Sequence, residues 1–111
     1  MLPSVTAEKA KLSDGMPAVS VKLQGESAEL NVWLTLSEVE QLREIISETD
    51  AVDPIALGTS ANAAAHWVLE SSAFSVLVGP NDECWDVCVT FPRSLLDDLA
   101  AELDALTEEP S

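Results

Sequence analysis

The stretch AELNVWLTLSEVEQLREII, residues 28–46, decides the fold, because the period of its apolar residues changes partway along. From Ala28, Leu30, Val32, Leu34 and Leu36 fall on one side and Glu29, Asn31, Trp33 and Thr35 on the other. A period of two marks a half-buried strand. Beyond Ser37 the apolar residues recur as Val39, Leu42, Ile45 and Ile46, with Glu38, Glu44 and Glu48 outward, which is helical spacing. Ser37-Glu38-Val39-Glu40 reads as a capping box: the Ser37 hydroxyl accepts from the amide three residues on, and Glu40 reaches back to the Ser37 amide. The helix should fade near Thr49-Asp50, ahead of Asp53-Pro54. A strand running straight into a helix predicts a mixed α+β domain.

The flanks extend this pattern. Upstream, Val19, Val21 and Leu23 alternate with Ser20 and Lys22, and Gln24-Gly25-Glu26-Ser27 forms the turn of a hairpin. Downstream, Phe74, Val76 and Val78 alternate with Ser75 and Leu77, and Gly79-Pro80-Asn81-Asp82 is a turn signal. Trp85, Val87, Val89 and Phe91 then alternate with Cys84, Asp86, Cys88 and Thr90. Pro92 suits the first turn of a second helix, whose stripe is Leu95, Leu96, Leu99, Leu103 and Leu106. Residues 51–65 read as a crossover loop with a short helix over 60–65, or as the approach to a strand through His66-Trp67-Val68-Leu69; the strand over 64–71 is preferred. Laying each residue over the one 55 positions on produces an ungapped echo, such as Val21 on Val76 and Thr35 on Thr90, so the β-β-α units are either a pseudo-repeat or unrelated.

The expected architecture is a two-layer α+β sandwich: an antiparallel sheet of four or five strands with two helices on one face. Residues 1–17 are expected as a partly ordered N-terminal extension, 18–106 as the single domain and 107–111 as a frayed tail. The core face should carry Val19, Val21, Leu23, Leu30, Val32, Leu34, Phe74, Val76, Val78, Trp85, Val87 and Val89.

Charge excludes several functions. The 111 residues include 5 basic and 20 acidic ones, a net charge of −15. Lys9, Lys11, Lys22, Arg43 and Arg93 are too few to neutralise a nucleic-acid backbone, and they disfavour anionic membranes equally. No stretch approaches the roughly 20 apolar residues of a membrane span, and residues 1–15 lack the apolar segment of a secretory signal. A protein partner with a basic surface is favoured instead. Cys84 and Cys88 lie about 13 Å apart on one strand, too far to bridge or to clasp one ion, and unpaired thiols suit the cytoplasm.

Chemistry has few candidates. The helix-free sheet face should expose Trp33, Leu77, Cys84 and Cys88 within a rim of Glu29, Asn31 and Asp86, which suits a partner surface or a homodimer contact. Alternatively the N-terminal segment, or the connector with Val52, Ile55 and Leu57, folds over that face; a small-molecule pocket is a third reading. His66 is best read as a satisfied histidine beside Trp67, and it supports catalysis only if paired with Cys84 or Cys88. Asp82, Glu83 and Asp86 form no calcium-loop pattern. Asp97, Asp98, Glu102 and Asp104 avoid the leucine stripe and read first as a solvated outer helix face, with an acidic docking surface for a basic partner as the alternative. No cofactor or catalytic motif is present.

In size and charge the chain resembles bacterial immunity proteins, secretion chaperones and phage-encoded inhibitors, an analogy of profile alone. The leading expectation is a non-enzymatic protein that inhibits or escorts a partner protein. A DNA mimic that occupies a nucleic-acid-binding site is the second, and a small enzyme or sensor using His66 with Cys84 or Cys88 the third.

Overall fold

The computed structural model describes residues 3–25, 29–47, 52–60, 63–80 and 87–108. Its elements run β1 (Ser4–Lys11), β2 (Pro17–Gln24), β3 (Glu29–Thr35), α1 (Leu36–Ile46), β4 (Val52–Ser60), β5 (Ala63–Leu69), β6 (Ala73–Val78), β7 (Val87–Pro92) and α2 (Leu95–Glu108). All seven strands join one sheet in chain order, and every neighbouring pair is antiparallel. The class is α+β with two helices, but the sheet has seven strands rather than four or five. The units β1-β2-β3-α1 and β4-β5-β6-β7-α2 differ by a strand, so the order of elements adds no support to an internal repeat.

Both additional strands come from stretches with weak alternation. β1 lies in the segment expected as an extension; it presents only Val5 and Ala7 to the core and pairs with β2 along its whole length. Its turn carries the hairpin signal Asp14-Gly15, with Gly15 at φ 88°, its N–H donating to Leu12 O, and Asp14 accepting from Met16 N–H. β4 contains Pro54 and Gly58, which weaken a strand reading. Register shifts at Val52/Ile55 and Ala56/Thr59 accommodate them, so neither a crossover loop nor a helix over 60–65 forms. β5 is the strand preferred from sequence.

The inner sheet face and both helices share one core. Val19, Val21, Leu23, Leu30, Val32, Leu34, Phe74, Val76 and Val78 are buried together with Val39 and Leu42 of α1 and Leu95, Leu96, Leu99 and Leu103 of α2. The rings of Trp67 and Phe74 stack at 6.2 Å and those of Phe74 and Phe91 at 5.3 Å. Val87 is a correction: it shares the inner side through its partner Val78 but stands 42% exposed at the strand end. Trp85 lies outside the described residues.

The capping box sits two residues earlier than expected. Thr35 is the N-cap of α1, its hydroxyl accepting from Glu38 N–H at 3.3 Å while Glu38 Oε1 accepts from Thr35 N–H at 2.9 Å. Glu40, assigned that role from sequence, instead pairs with Arg43 at 3.2 Å. The earlier start is favoured because Glu38 then serves a second element: its Oε2 accepts from Gly58 N–H of β4 at 2.8 Å. Leu36, read as the last inner residue of the strand, becomes the first residue of α1 and is 55% exposed.

Glu38 spans the weakest seam of the sheet. β3 and β4 share a single register pair, Trp33 opposite Thr59. At Gly58, φ is 81°, and a Cβ would meet Trp33 O and Leu34 Cδ2 at 2.7 Å and Val32 Cγ1 at 2.8 Å. Only glycine fits there. The irregular strand also frees Leu57 O to accept from the buried Trp67 Nε1 at 2.9 Å.

α2 follows β7 at one edge and reaches β1 at the other, where Glu102 Oε1 accepts from Ala7 N–H at 3.3 Å. In a flat sheet the outer strands would lie about 29 Å apart, at ~4.8 Å per strand. The axial rise from Leu95 to Glu102 is only about 10 Å. The sheet must therefore curl around its helices, consistent with extents of 36 × 28 × 27 Å. Pro92 ends β7 opposite Ala73 rather than opening the helix; Arg93 N–H continues the ladder to Ser72 O, so the chain turns only after it.

The seam yields a paired prediction. Gly15 and Gly58 share a left-handed φ, but nothing lies within 4 Å of a Cβ at Gly15. Gly15→Ala should cost about 1 kcal/mol, from backbone strain alone. Gly58→Ala should cost at least ~3 kcal/mol, because backbone and core side chains must move as well. Urea denaturation of both variants measures the difference; equal costs would mean the seam is not tight.

Candidate functional site

The register divides the helix-free face into two regions. Trp33 of β3 stands between Ser20 of β2 and Thr59 of β4. Leu77 of β6 stands between His66 of β5 and Cys88 of β7. Trp33 is thus four strands from Cys88, about 19 Å at ~4.8 Å per strand. The expected single patch of Trp33, Leu77 and Cys88 does not form. Cys84 and Asp86, and with them Asp82 and Glu83, lie outside the described residues. Glu29, whose carboxylate lies 3.1 Å from Lys22 Nζ, and Asn31 continue the exposed side of β3 beyond Trp33.

Among the described residues neither proposed cover lies over this face. β1 continues the sheet beside β2, and Ile55 and Leu57 of β4 turn into the core. Trp33 is 39% exposed, whereas Trp67 is fully buried. Met16, 56% exposed, precedes β2, and Leu36 follows Thr35; the pairing of Ala18 with Thr35 brings both to the same end of the sheet. Trp33 lies two residues before Thr35 on β3. Three of the four exposed large apolar side chains among the described residues therefore border the β3–α1 corner. Met16 and Leu36 were not expected from sequence. The Asp14-Gly15 turn and the change of period at Thr35 are the signals that expose them.

The acidic residues of α2 divide by role. Asp97 and Asp98 are exposed in its first turn, where they complement the helix dipole. Glu102 is partly buried and closes the edge of β1 through Ala7 N–H, so it is a structural group rather than part of a free docking face. Asp104 pairs with Arg43 Nη2 and ties the two helices together. An open cleft of about 690 Å³ lies between the end of α1 and the start of α2, lined by Arg43, Ser47, Arg93, Ser94, Asp97 and Asp104 among others. The two cations of the lining, Arg43 and Arg93, are matched by its two carboxylates, Asp97 and Asp104, and Arg43 pairs with Asp104, so the cleft offers an anion little net positive charge.

His66 is buried, with Nε2 3.1 Å from Gly79 O, and Leu77 separates it from Cys88. Cys88 and His66 therefore do not form a nucleophile–base pair, and Cys84 lies outside the described residues. Among the described residues no three His, Cys, Asp or Glu side chains gather to hold a metal ion, and no helix is long and apolar enough to cross a membrane. Comparison with protein-family models finds no match, and searches of curated proteins and of solved structures find none.

The division of the acids is testable. Glu102→Ala should cost about 1–2 kcal/mol by leaving the Ala7 amide without its partner. Asp97→Asn with Asp98→Asn should change stability by less than ~0.5 kcal/mol, as exposed sites do. Denaturation midpoints decide; a Glu102→Ala variant as stable as the double variant would return Glu102 to the solvent-facing set.

Proposed function

We propose that the protein is a non-enzymatic binding module that inhibits or escorts a basic protein partner, docking it at the β3–α1 corner. The observation that carries this reading is Trp33, a large aromatic side chain held exposed on the one sheet face that the helices leave open. An exposed tryptophan flanked by Met16 and Leu36 has the make-up of an interface anchor. Asp97 and Asp98 lie on the helix layer, opposite Trp33, so one partner surface does not seat on both. Their part is at long range: with a net charge of −15 the chain attracts a basic partner before contact.

Two effects should separate on the same variant. Trp33→Ala should weaken partner binding by about 2 kcal/mol or more, as a central aromatic anchor does. It should lower stability by only about 1–2 kcal/mol, since much of the ring is already exposed. Raising salt from ~10 to ~150 mM should slow association by at least ~10-fold through screening of the steering field. The test is capture from an extract of the source cell on the immobilised chain, with wild type and Trp33→Ala side by side. A basic protein held at low salt, released by salt and lost with Trp33→Ala is the expected result. Equal retention of the same proteins by both forms would contradict the reading.

A further inference from the structure

The fold treats its two sheet edges differently. β1 carries Glu8, Lys9 and Lys11, and α2 covers its edge through Glu102. β7 reads Val-Cys-Val-Thr-Phe-Pro and holds no charge, like the interior strands β5 and β6. Charges, covering elements and bulges are how proteins keep an edge strand from pairing; among the described residues β7 has only its terminal Pro92.

The hydrogen-bond parity shows what that edge offers. Arg93 N–H donates to Ser72 O at 3.0 Å, which makes Ser72 and Arg93 a hydrogen-bonded pair. Counting back by twos, Phe91, Val89 and Val87 direct their backbone groups to β6, while Pro92, Thr90 and Cys88 direct theirs outward. Pro92 thus stands where its missing N–H faces the free edge. Cys88 and Thr90 each present one N–H and one C=O, and both residues are exposed.

We infer that β7 pairs antiparallel with β7 of a second copy of this chain, about a two-fold axis at Val89. Cys88 of each copy then lies opposite Thr90 of the other, and four backbone hydrogen bonds close an isologous contact. The charge pattern selects this occupant. A basic partner is drawn by carboxylates, and β7 has none; two copies at −15 each meet least repulsion along an uncharged strand. The contact is small, so a Kd between about 10 and 1000 μM is expected.

Salt separates this inference from the partner reading, because the two respond oppositely. Screening should weaken capture of a basic partner but strengthen pairing of two acidic copies. The experiment is sedimentation equilibrium of the full chain under reducing conditions at ~20 and ~500 mM NaCl, with amide exchange of the same samples followed by NMR. We expect a dimer at least ~5-fold tighter at the higher salt, where the Debye length has shrunk to a few ångströms. In it the Cys88 and Thr90 amides should exchange at least ~10-fold more slowly than in dilute solution. Thr90→Pro removes an N–H that β6 does not use; this variant, shown to be folded by circular dichroism, should remain monomeric, whereas Cys88→Ser should dimerise as wild type. A chain that stays monomeric throughout would overturn the inference. So would a dimer whose Cys88 and Thr90 amides stay fast, or a folded Thr90→Pro variant that dimerises as well as wild type.

Discussion

One carboxylate joins what would otherwise be two half-sheets. Glu38 accepts from Thr35 N–H with one oxygen and from Gly58 N–H with the other, so a single side chain starts α1 and anchors β4. β2–β3 and β5–β6 form regular hairpin ladders and β4–β5 a shifted one, but β3 and β4 share only the pair Trp33–Thr59. A seam that thin depends on its side-chain bonds. The irregularity of β4 leaves Gly58 N–H and Leu57 O without ladder partners, and Glu38 and Trp67 satisfy them. Without those partners each would be a polar backbone group short of its hydrogen bond, at a cost of about 1–3 kcal/mol.

The exposed features follow from this arrangement. Because β4 packs its backbone tightly against β3, the helix-free face continues across the seam, and Trp33 stands on it beside Thr59. Because α1 starts at Leu36, that side chain leaves the core line of β3 and joins the exposed corner with Met16. Because the sheet curls until α2 reaches β1, one edge is closed by Glu102 and the other is left as β7. Surface, corner and edge are consequences of how the core closes.

Strong periodicity made part of this legible. β2, β3, α1, β6 and α2 alternate or repeat over their buried residues, and the leucine stripe of α2 lies in the core as its spacing implies. β1 was hidden because an edge strand needs few inward apolar residues, and Val5 and Ala7 make too short a pattern. β4 was hidden because Pro54 and Gly58 break the period that identifies strands, and the bulges that admit them depend on tertiary partners. The capping box was misplaced because Thr35-Leu36-Ser37-Glu38 and Ser37-Glu38-Val39-Glu40 both satisfy the pattern; only the position of Gly58 separates them. For the site, alternation put Trp33 on the correct face but could not give its distance from Leu77 and Cys88, which depends on how many strands intervene.

Native-state hydrogen exchange at Gly58 tests the central claim most directly. If the Glu38–Gly58 bond holds the half-sheets together, the Gly58 amide opens only when the whole domain unfolds. Its exchange free energy should then equal the unfolding free energy from urea denaturation and match the best-protected amides of β2 and β5. A Gly58 amide that exchanges through a local opening, several kcal/mol below global unfolding while β2 and β5 stay protected, would contradict the account.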